Sequence, residues 1–95
     1  MNKIRSFADK ETRNIYEQCV SLKIPIQVQR IALRKLILID NAGTLLDLAI
    51  PPANHLEQLK GDRAGQYSIR INAKYRICFR HENGYFYDLE ICDYH

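Results

Sequence analysis

Cysteine is rare in this sequence of 95 residues, which contains only Cys19, Cys78 and Cys92. An odd number of cysteines without a CxxC pair makes a poor disulfide framework and a poor zinc site. Cys78 and Cys92 could be neighbours on adjacent strands, but we interpret them as small packing residues. We therefore expect neither a metal site nor a redox role for the cysteines.

Long hydrophobic segments are also missing. The longest apolar run, LILI at 36–39, is far too short to span a bilayer. The opening residues MNKIRSFADKETRN are polar and charged, unlike a signal peptide. We expect a cytoplasmic protein without membrane association. The composition, 46% hydrophobic and 26% charged, is typical of a globular protein, and the length of 95 residues predicts a single domain over residues 1–95.

Residue arrangements typical of several enzyme classes are absent too. The three serines do not lie in an elbow motif. His55, His81 and His95 are too scattered in the sequence to indicate a metal site. Gly61 and Gly65 have a GxxxG spacing without the GK[ST] ending of a nucleotide-binding loop. We expect no metal and no cofactor.

The charges that are present are distributed unevenly. Residues 60–80 include six basic residues and one acid, whereas residues 81–95 include four acids and no lysine or arginine. This order suits antiparallel strands that neutralise each other, and it equally suits a basic face that holds a polyanion. Charge alone does not separate these two interpretations.

Two helices are predicted in the first half of the chain. Asp9 is a candidate N-cap, and apolar residues at helical spacing predict a helix over residues 10–22. Pro25 is favourable in a first helical turn and begins a second helix that runs to about Ile39. Gly43, in the DNAG segment, is available as a left-handed C-cap. The short connection predicts an antiparallel helix hairpin.

Strand patterns flank these helices. IRSF at 4–7 is a short strand candidate, and Pro51-Pro52 predicts an extended connection after the second helix. The hydrophobic period then becomes two, and Asn83-Gly84 predicts a type I′ hairpin before a long last strand. We predict an α+β fold, with one small antiparallel or mixed sheet and the N-terminal helix hairpin packed on one face.

The alternation within the last strands assigns their side chains to two faces of the sheet. Even-numbered positions place Arg70, Arg76 and Arg80 on one face or its rim. Three arginines there form either a phosphate-binding surface or an ordinary solvated face. The odd-numbered positions should face the helices, and they are Tyr67, Ile69, Ile71, Tyr75, Ile77 and Phe79.

Two further segments contain candidate functional residues. In LKGDRAGQYSI, at 59–69, a turn could hold Lys60 and Arg63 where they would meet a phosphate, although solvent-facing charges are the simpler interpretation of this turn alone. The sequence ends on an acid, a phenol and an imidazole, which are either a polar tail or a working site on a last strand tied into the sheet. These residues are Asp93, Tyr94 and His95.

Together these residue types suit the cleavage of RNA. The ribose 2′-OH is its own nucleophile, so an enzyme needs a group that accepts its proton, cations that stabilise the phosphate, and an acid that protonates the leaving 5′-oxygen. Arginines and a lysine, with a Tyr, His or Asp nearby, would be sufficient without a metal.

The segment LKGDRAGQYSIRINAKYRICFR, the Asn-Gly hairpin and the terminal DYH together resemble the HigB-type toxins of bacterial toxin–antitoxin pairs, in the RelE/ParE superfamily. The similarity runs from IRSFADKET through His95, nearly the whole chain. The resemblance implies an endonuclease that cuts messenger RNA in the ribosomal A site and inhibits translation. It also implies three partners, namely a HigA-like antitoxin, the 70S ribosome and mRNA.

The resemblance assigns catalytic roles to Lys60, Arg76, Asp93, Tyr94 and His95. His95 is the best candidate for a general base or acid because imidazole titrates near neutral pH. Asp93 would orient His95 or steer the substrate, and the role of Tyr94 depends on how the chain end bends. Arg76 and Lys60 would hold the scissile phosphate, while acid and base stay unassigned among His95, Asp93 and Lys60. Additional RNA contacts are expected from Arg63, Arg70, Lys74 and Arg80.

Two alternatives stay open. A ParE-like protein of the same fold would inhibit DNA gyrase and cut no RNA. A non-enzymatic RNA- or ribosome-binding module would use the same basic face. The YR strand and the DYH terminus favour the nuclease.

Overall fold

The helices precede the sheet, in the order that the sequence predicts. The computed structural model describes residues 2–21 and 23–93. Its helices are α1, Lys10–Tyr16, and α2, Ile26–Asp40, and its strands are β1, Glu57–Gln58, β2, Tyr67–Arg70, β3, Tyr75–Glu82, and β4, Tyr85–Asp93. The strands pair antiparallel in the order β1-β2-β3-β4, and α1 and α2 pack against the sheet. The predicted α+β fold is confirmed.

Helix α1 is shorter than predicted. Asp9 caps it as expected, since its carboxylate accepts the Thr12 N–H at 2.9 Å. The helix ends at Tyr16, so the predicted extension toward residue 22 is wrong. The physical reason is Gln18, whose left-handed φ of 64° is incompatible with a continuing helix.

Helix α2 has the predicted position, with Pro25 as its N-cap and a buried face that includes Ala32 and Leu36. Its C-terminus differs from the prediction. Asn41 is the C-cap, and its side-chain amide donates to the Ile37 carbonyl at 2.8 Å. Gly43 is not a left-handed cap, because the helix has already ended and the Gly43 N–H donates to Asp47 instead.

The N-terminal segment lies along β4 without forming a full strand. Ile4 and Phe7 make isolated parallel bridges to Phe86 and Leu89, so the strand candidate at 4–7 is reduced to two points of pairing. Parallel pairing at these points makes the edge of the antiparallel sheet mixed.

The carboxylate of Asp40, at the end of α2, joins this segment to both helices. It accepts the N–H groups of Lys3 and Ile4, both at 2.9 Å, and the Tyr16 hydroxyl. The hydrogen bond to Asp40, together with burial and the negative charge of Asp40, raises the pKa of Tyr16 to about 12. Asp40 is buried, and these partners satisfy it.

The connection after α2 is folded into turns rather than extended. It contains 3₁₀ turns at Leu45–Ala49 and Pro52–Asn54. Asn54 is fully buried, and its amide donates to the carbonyls of Leu48 and Ile50 at 3.1 and 3.3 Å. The predicted extended connection is wrong because proline is well tolerated in a first turn of this kind, and because Asn54 stabilises the turns from inside.

The hydrophobic core lies between the helices and the odd-numbered face of β2 and β3. Ile69, Ile77 and Phe79 have no exposed surface, as the alternation predicts. The hairpin before β4 also follows the prediction, with positive φ at both Asn83 and Gly84. In residues 2–21 and 23–93, no helix is long and apolar enough to cross a membrane.

The even-numbered face of the sheet is not the open arginine surface that the alternation suggests. Ser68, Arg76 and Cys78 are all buried. Leu59 and Arg63 line a cleft together with these side chains, which places the segment before β2 beside this face. A surface expected to be open is therefore the wall of a cleft.

Candidate active site

A cleft of about 270 Å³ brings together all three catalytic candidates that the described residues include. Lys60 and Arg63 come from the turn before β2, Arg76 comes from β3, and Asp93 is the last residue of β4. Residues distant in the sequence thus meet on one face of the sheet. The complete lining is Leu59, Lys60, Asp62, Arg63, Ser68, Arg76, Cys78, Cys92 and Asp93.

The turn that carries Lys60 and Arg63 has a fixed backbone path. The Leu59 N–H donates to the Gln66 carbonyl at 2.8 Å, which closes the loop. Gly61 begins the 3₁₀ turn Gly61–Arg63 with a left-handed φ of 65°, a conformation that glycine adopts without steric cost. The turn therefore presents both basic residues to the cleft.

Arg76 is the most deeply buried charge in the cleft wall, with a side chain only 5% exposed. Its Nε donates to Ser68 Oγ, and one terminal nitrogen donates to the His55 carbonyl, both at 2.8 Å. The same nitrogen forms an ion pair with Glu57 at 2.8 Å. A buried guanidinium needs such partners because desolvation of an unpaired charge is costly. Arg76 is consequently a positive charge of fixed position.

Arg63 also lines the cleft and is less buried than Arg76. Its guanidinium donates to Gln66 at 3.0 Å and to Glu90 at 3.2 Å. The hydrogen bond to Glu90 raises the pKa of Arg63. The ion pair is about one-third exposed on each side, so solvent weakens it, and a phosphate could compete with Glu90 for Arg63.

The last described residue, Asp93, is part of the sheet. It pairs with Tyr75 across β3 and β4, and its carboxylate lies 3.9 Å from the ammonium group of Lys74. The expectation that the final strand is tied to the sheet is thus confirmed up to Asp93. The two other terminal candidates, Tyr94 and His95, lie outside the described residues.

The remaining basic candidates are divided among separate surfaces. Arg70 lines a neighbouring cleft of about 360 Å³, which shares Arg76 with the first. Arg80 lies elsewhere and forms an ion pair with Asp88 at 3.5 Å. Arg70 and Arg76 are cross-strand partners and share that neighbouring cleft, as the alternation predicts. Arg80 is separated from them because it lies beyond the β2–β3 pairing, which ends at Phe79.

Sequence reasoning missed the residues that hold the cationic groups in place. Ser68, Glu57 and the His55 carbonyl position Arg76, and Glu90 positions Arg63. Strand β1 has only two residues, so its sequence carries no periodic signal that could have placed Glu57 opposite Ser68. Within the described part of the chain, no three His, Cys, Asp or Glu residues form a group able to hold a metal ion.

Comparisons with known proteins agree with this architecture. A family model described as the RelE-like toxin of the type II toxin-antitoxin system HigB matches residues 5–95. Toxin HigB-1 of Vibrio cholerae is 38% identical over 79 residues, which are 82% of this chain and 83% of that protein. Endoribonuclease HigB of Proteus vulgaris is 40% identical over 93 residues, which are 97% and 99% of the two chains.

A solved structure, the YoeB-YefM complex from Staphylococcus aureus, covers 100% of this chain and 98% of the matched chain with a TM-score of 0.61. At 22% identity this similarity shows the fold alone. The fold and the family match together define a RelE-like toxin. The chain belongs to the HigB-like toxin family of type II toxin–antitoxin systems, and its partner is therefore an antitoxin.

Proposed function

We propose that this toxin is an endoribonuclease that cleaves mRNA in the ribosomal A site, and that it thereby inhibits translation in the cytoplasm. The observation that carries the proposal is the cleft in which Lys60, Arg63, Arg76 and Asp93 converge. Family membership and the similarity to Endoribonuclease HigB of Proteus vulgaris support ribonuclease activity. The antitoxin is a HigA-like protein, and the 70S ribosome presents the substrate.

The cationic residues of the cleft stabilise the phosphate during cleavage. As the 2′-oxygen attacks, negative charge accumulates on the phosphate oxygens, and preorganised positive charge lowers the energy of that transition state. Arg76 suits this role because its contacts with Ser68, the His55 carbonyl and Glu57 hold it before substrate binds. Lys60 is a more mobile point charge that can follow the phosphate, and Arg63 can exchange Glu90 for RNA.

Proton transfer is assigned to the end of the chain. Tyr94 and His95 directly follow Asp93, which lines the cleft. His95 is the preferred general acid or base, and Asp93 orients His95 or the substrate. Tyr94 is the third catalytic candidate at the end of the chain. The reaction needs no metal, because the ribose 2′-OH is the nucleophile and the cationic side chains neutralise the phosphate.

Additional basic residues extend the RNA path beyond the cleft. Arg70 shares the neighbouring cleft with Arg76, and Lys74 lies beside Asp93, so both are close enough to hold nucleotides on either side of the cut. Arg80 is farther away and is the weakest member of the predicted RNA-binding set, since it is paired with Asp88.

Primer extension on a translated messenger, with and without ribosomes, tests this proposal. The parent protein should produce cuts only when ribosomes are present, and His95→Ala should produce none while still binding ribosomes. A His95→Ala variant as active as the parent would exclude the proposed proton transfer. Ribosome binding without any cuts by the parent would favour the non-enzymatic module, and inhibition of supercoiling by purified gyrase would favour the ParE-like alternative.

A further inference from the structure

Two of the three cysteines lie together in the cleft. Cys78 on β3 and Cys92 on β4 are diagonal neighbours, because Cys78 is opposite Glu90 and Cys92 is opposite Arg76. Both line the cleft; Cys78 is buried and Cys92 is half-buried. Cys19 is exposed and lies outside the cleft. The packing role expected from the sequence does not explain why two thiols share the wall of the cationic cleft.

The pKa values of the two thiols are shifted in opposite directions. Interaction with the Cys92 thiol lowers the pKa of Cys78, and the positive charges of Arg63 and Arg76 act in the same direction, whereas burial and the charge of Glu90 oppose them. The interaction with Cys78, together with burial, raises the pKa of Cys92, whose thiol donates to the Glu90 carbonyl at 3.7 Å. One thiol with a lowered pKa beside a thiol with a raised pKa is the arrangement expected of a nucleophilic cysteine and a resolving cysteine.

We propose that Cys78 and Cys92 form an oxidation site for hydroperoxides, and that the product is an intramolecular disulfide in the wall of the cleft. The Cys78 thiolate attacks the distal oxygen of hydrogen peroxide, which forms a sulfenic acid and releases hydroxide. The Cys92 sulfur then attacks the Cys78 sulfur, the S–O bond breaks, and the thiol proton leaves with the hydroxyl group as water. Two electrons pass from the dithiol to the peroxide.

The strand geometry predicts a structural consequence of this bond. Diagonal neighbours on antiparallel strands have Cα atoms about 7–8 Å apart, whereas a disulfide requires at most about 6.8 Å. Oxidation must therefore draw the end of β4 toward β3. Asp93 follows Cys92 directly, so the movement changes its distance from Lys60 and Arg76 in the same cleft.

The effect on activity rests on the proposed function, whereas formation of the disulfide does not. If RNA is cleaved in this cleft, a displacement of about 1 Å is enough to reduce the rate by about 10²-fold. Because the bond is a disulfide, a thiol reductant should restore the original rate. Toxin activity would then depend on the peroxide and thiol concentrations around the protein.

Peptide mapping of the parent protein tests the oxidation site without reference to activity. The reduced protein is treated with a limiting amount of hydrogen peroxide, free thiols are blocked with N-ethylmaleimide, and the digest is analysed by mass spectrometry. We expect a peptide pair linked through Cys78 and Cys92, while Cys19, the internal control, is mostly alkylated. The proposal is overturned if Cys78 and Cys92 are recovered alkylated, or if Cys19 is the residue that oxidises first.

RNA cleavage assays test the consequence, in a Cys19→Ser background that prevents disulfides between molecules. For the Cys19→Ser protein, the cleavage rate before peroxide divided by the rate after peroxide should be about 10². The same ratio should be near one for the Cys19→Ser/Cys92→Ser protein. Cys78→Ser is the second variant if Cys92→Ser does not fold. An oxidised disulfide form that cleaves at the full rate would refute the effect on the cleft. Failure of the reduced protein to cleave RNA would instead refute the proposed function, and peptide mapping would still decide the oxidation site.

Discussion

Replacement of Arg76 by alanine should reduce both stability and cleavage, by amounts that the structure lets us anticipate. The guanidinium makes two hydrogen bonds, to Ser68 and to the His55 carbonyl, and an ion pair with Glu57, all at 2.8 Å. Ser68 has no exposed surface, so water cannot easily replace its lost partner, whereas the half-exposed Glu57 can be solvated again. We expect a loss of about 2–3 kcal/mol in the free energy of unfolding.

The rate of RNA cleavage by Arg76→Ala should fall by more than the loss of folded protein explains. If Arg76 stabilises the transition-state phosphate, its removal raises the barrier by about 2–4 kcal/mol, a decrease of about 30- to 1,000-fold in kcat/KM. The measurement pairs urea unfolding with cleavage assays at a temperature where both proteins are fully folded. Arg76→Lys retains the charge but not the paired contacts, so it should recover part of the rate and little of the stability.

Glu57→Gln is the matched control for these measurements. It removes the charge of the ion-pair partner but keeps an oxygen that can accept from Arg76, and the side chain is 49% exposed. The loss of stability should therefore stay below about 1 kcal/mol. The reasoning is refuted if the free energy of unfolding of Arg76→Ala is within about 0.5 kcal/mol of the parent value. It is also refuted if the folded variant cleaves RNA as fast as the parent.

Three other outcomes are expected. Because the pKa of Tyr16 is raised to about 12, its bond to Asp40 stabilises the protein below pH 10, the ordinary tyrosine value, and this contribution is lost as the pH rises toward 12. Tyr16→Phe should lower the free energy of unfolding by about 1–2 kcal/mol at neutral pH. It should also remove the part of the alkaline destabilisation that comes from ionisation of Tyr16, which urea unfolding at several pH values measures. Lys60→Ala should slow cleavage much more than Arg80→Ala, because only Lys60 lines the cleft; equal losses would contradict the assigned site. EDTA should leave the cleavage rate unchanged when spermidine stabilises the ribosomes, and loss of cutting under that control would indicate a required metal.

The order of the elements and the composition of the core could be predicted from the sequence, because both depend on local patterns. Four of these patterns extend over only a few residues each: the cap at Asp9, the proline before α2, the alternation in β2 and β3, and the Asn83-Gly84 hairpin. The family resemblance also depends on contiguous segments, and the match over residues 5–95 confirmed it. The end of α1 was missed because nothing in the residue type predicts a left-handed Gln18.

Only the tertiary structure decided which charges act together. Alternation assigned Arg70, Arg76 and Arg80 to one face, and Arg70 and Arg76 are cross-strand partners as expected. The tertiary structure buries Arg76 among its own partners, whereas Arg80 lies beyond the β2–β3 pairing and pairs with Asp88. Charges interact through space, and the partners that hold Arg76 come from three separate segments of the chain. The sequence alone therefore determined the fold and the family, while the cleft, its fixed arginine and its pair of thiols exist only once the chain has folded.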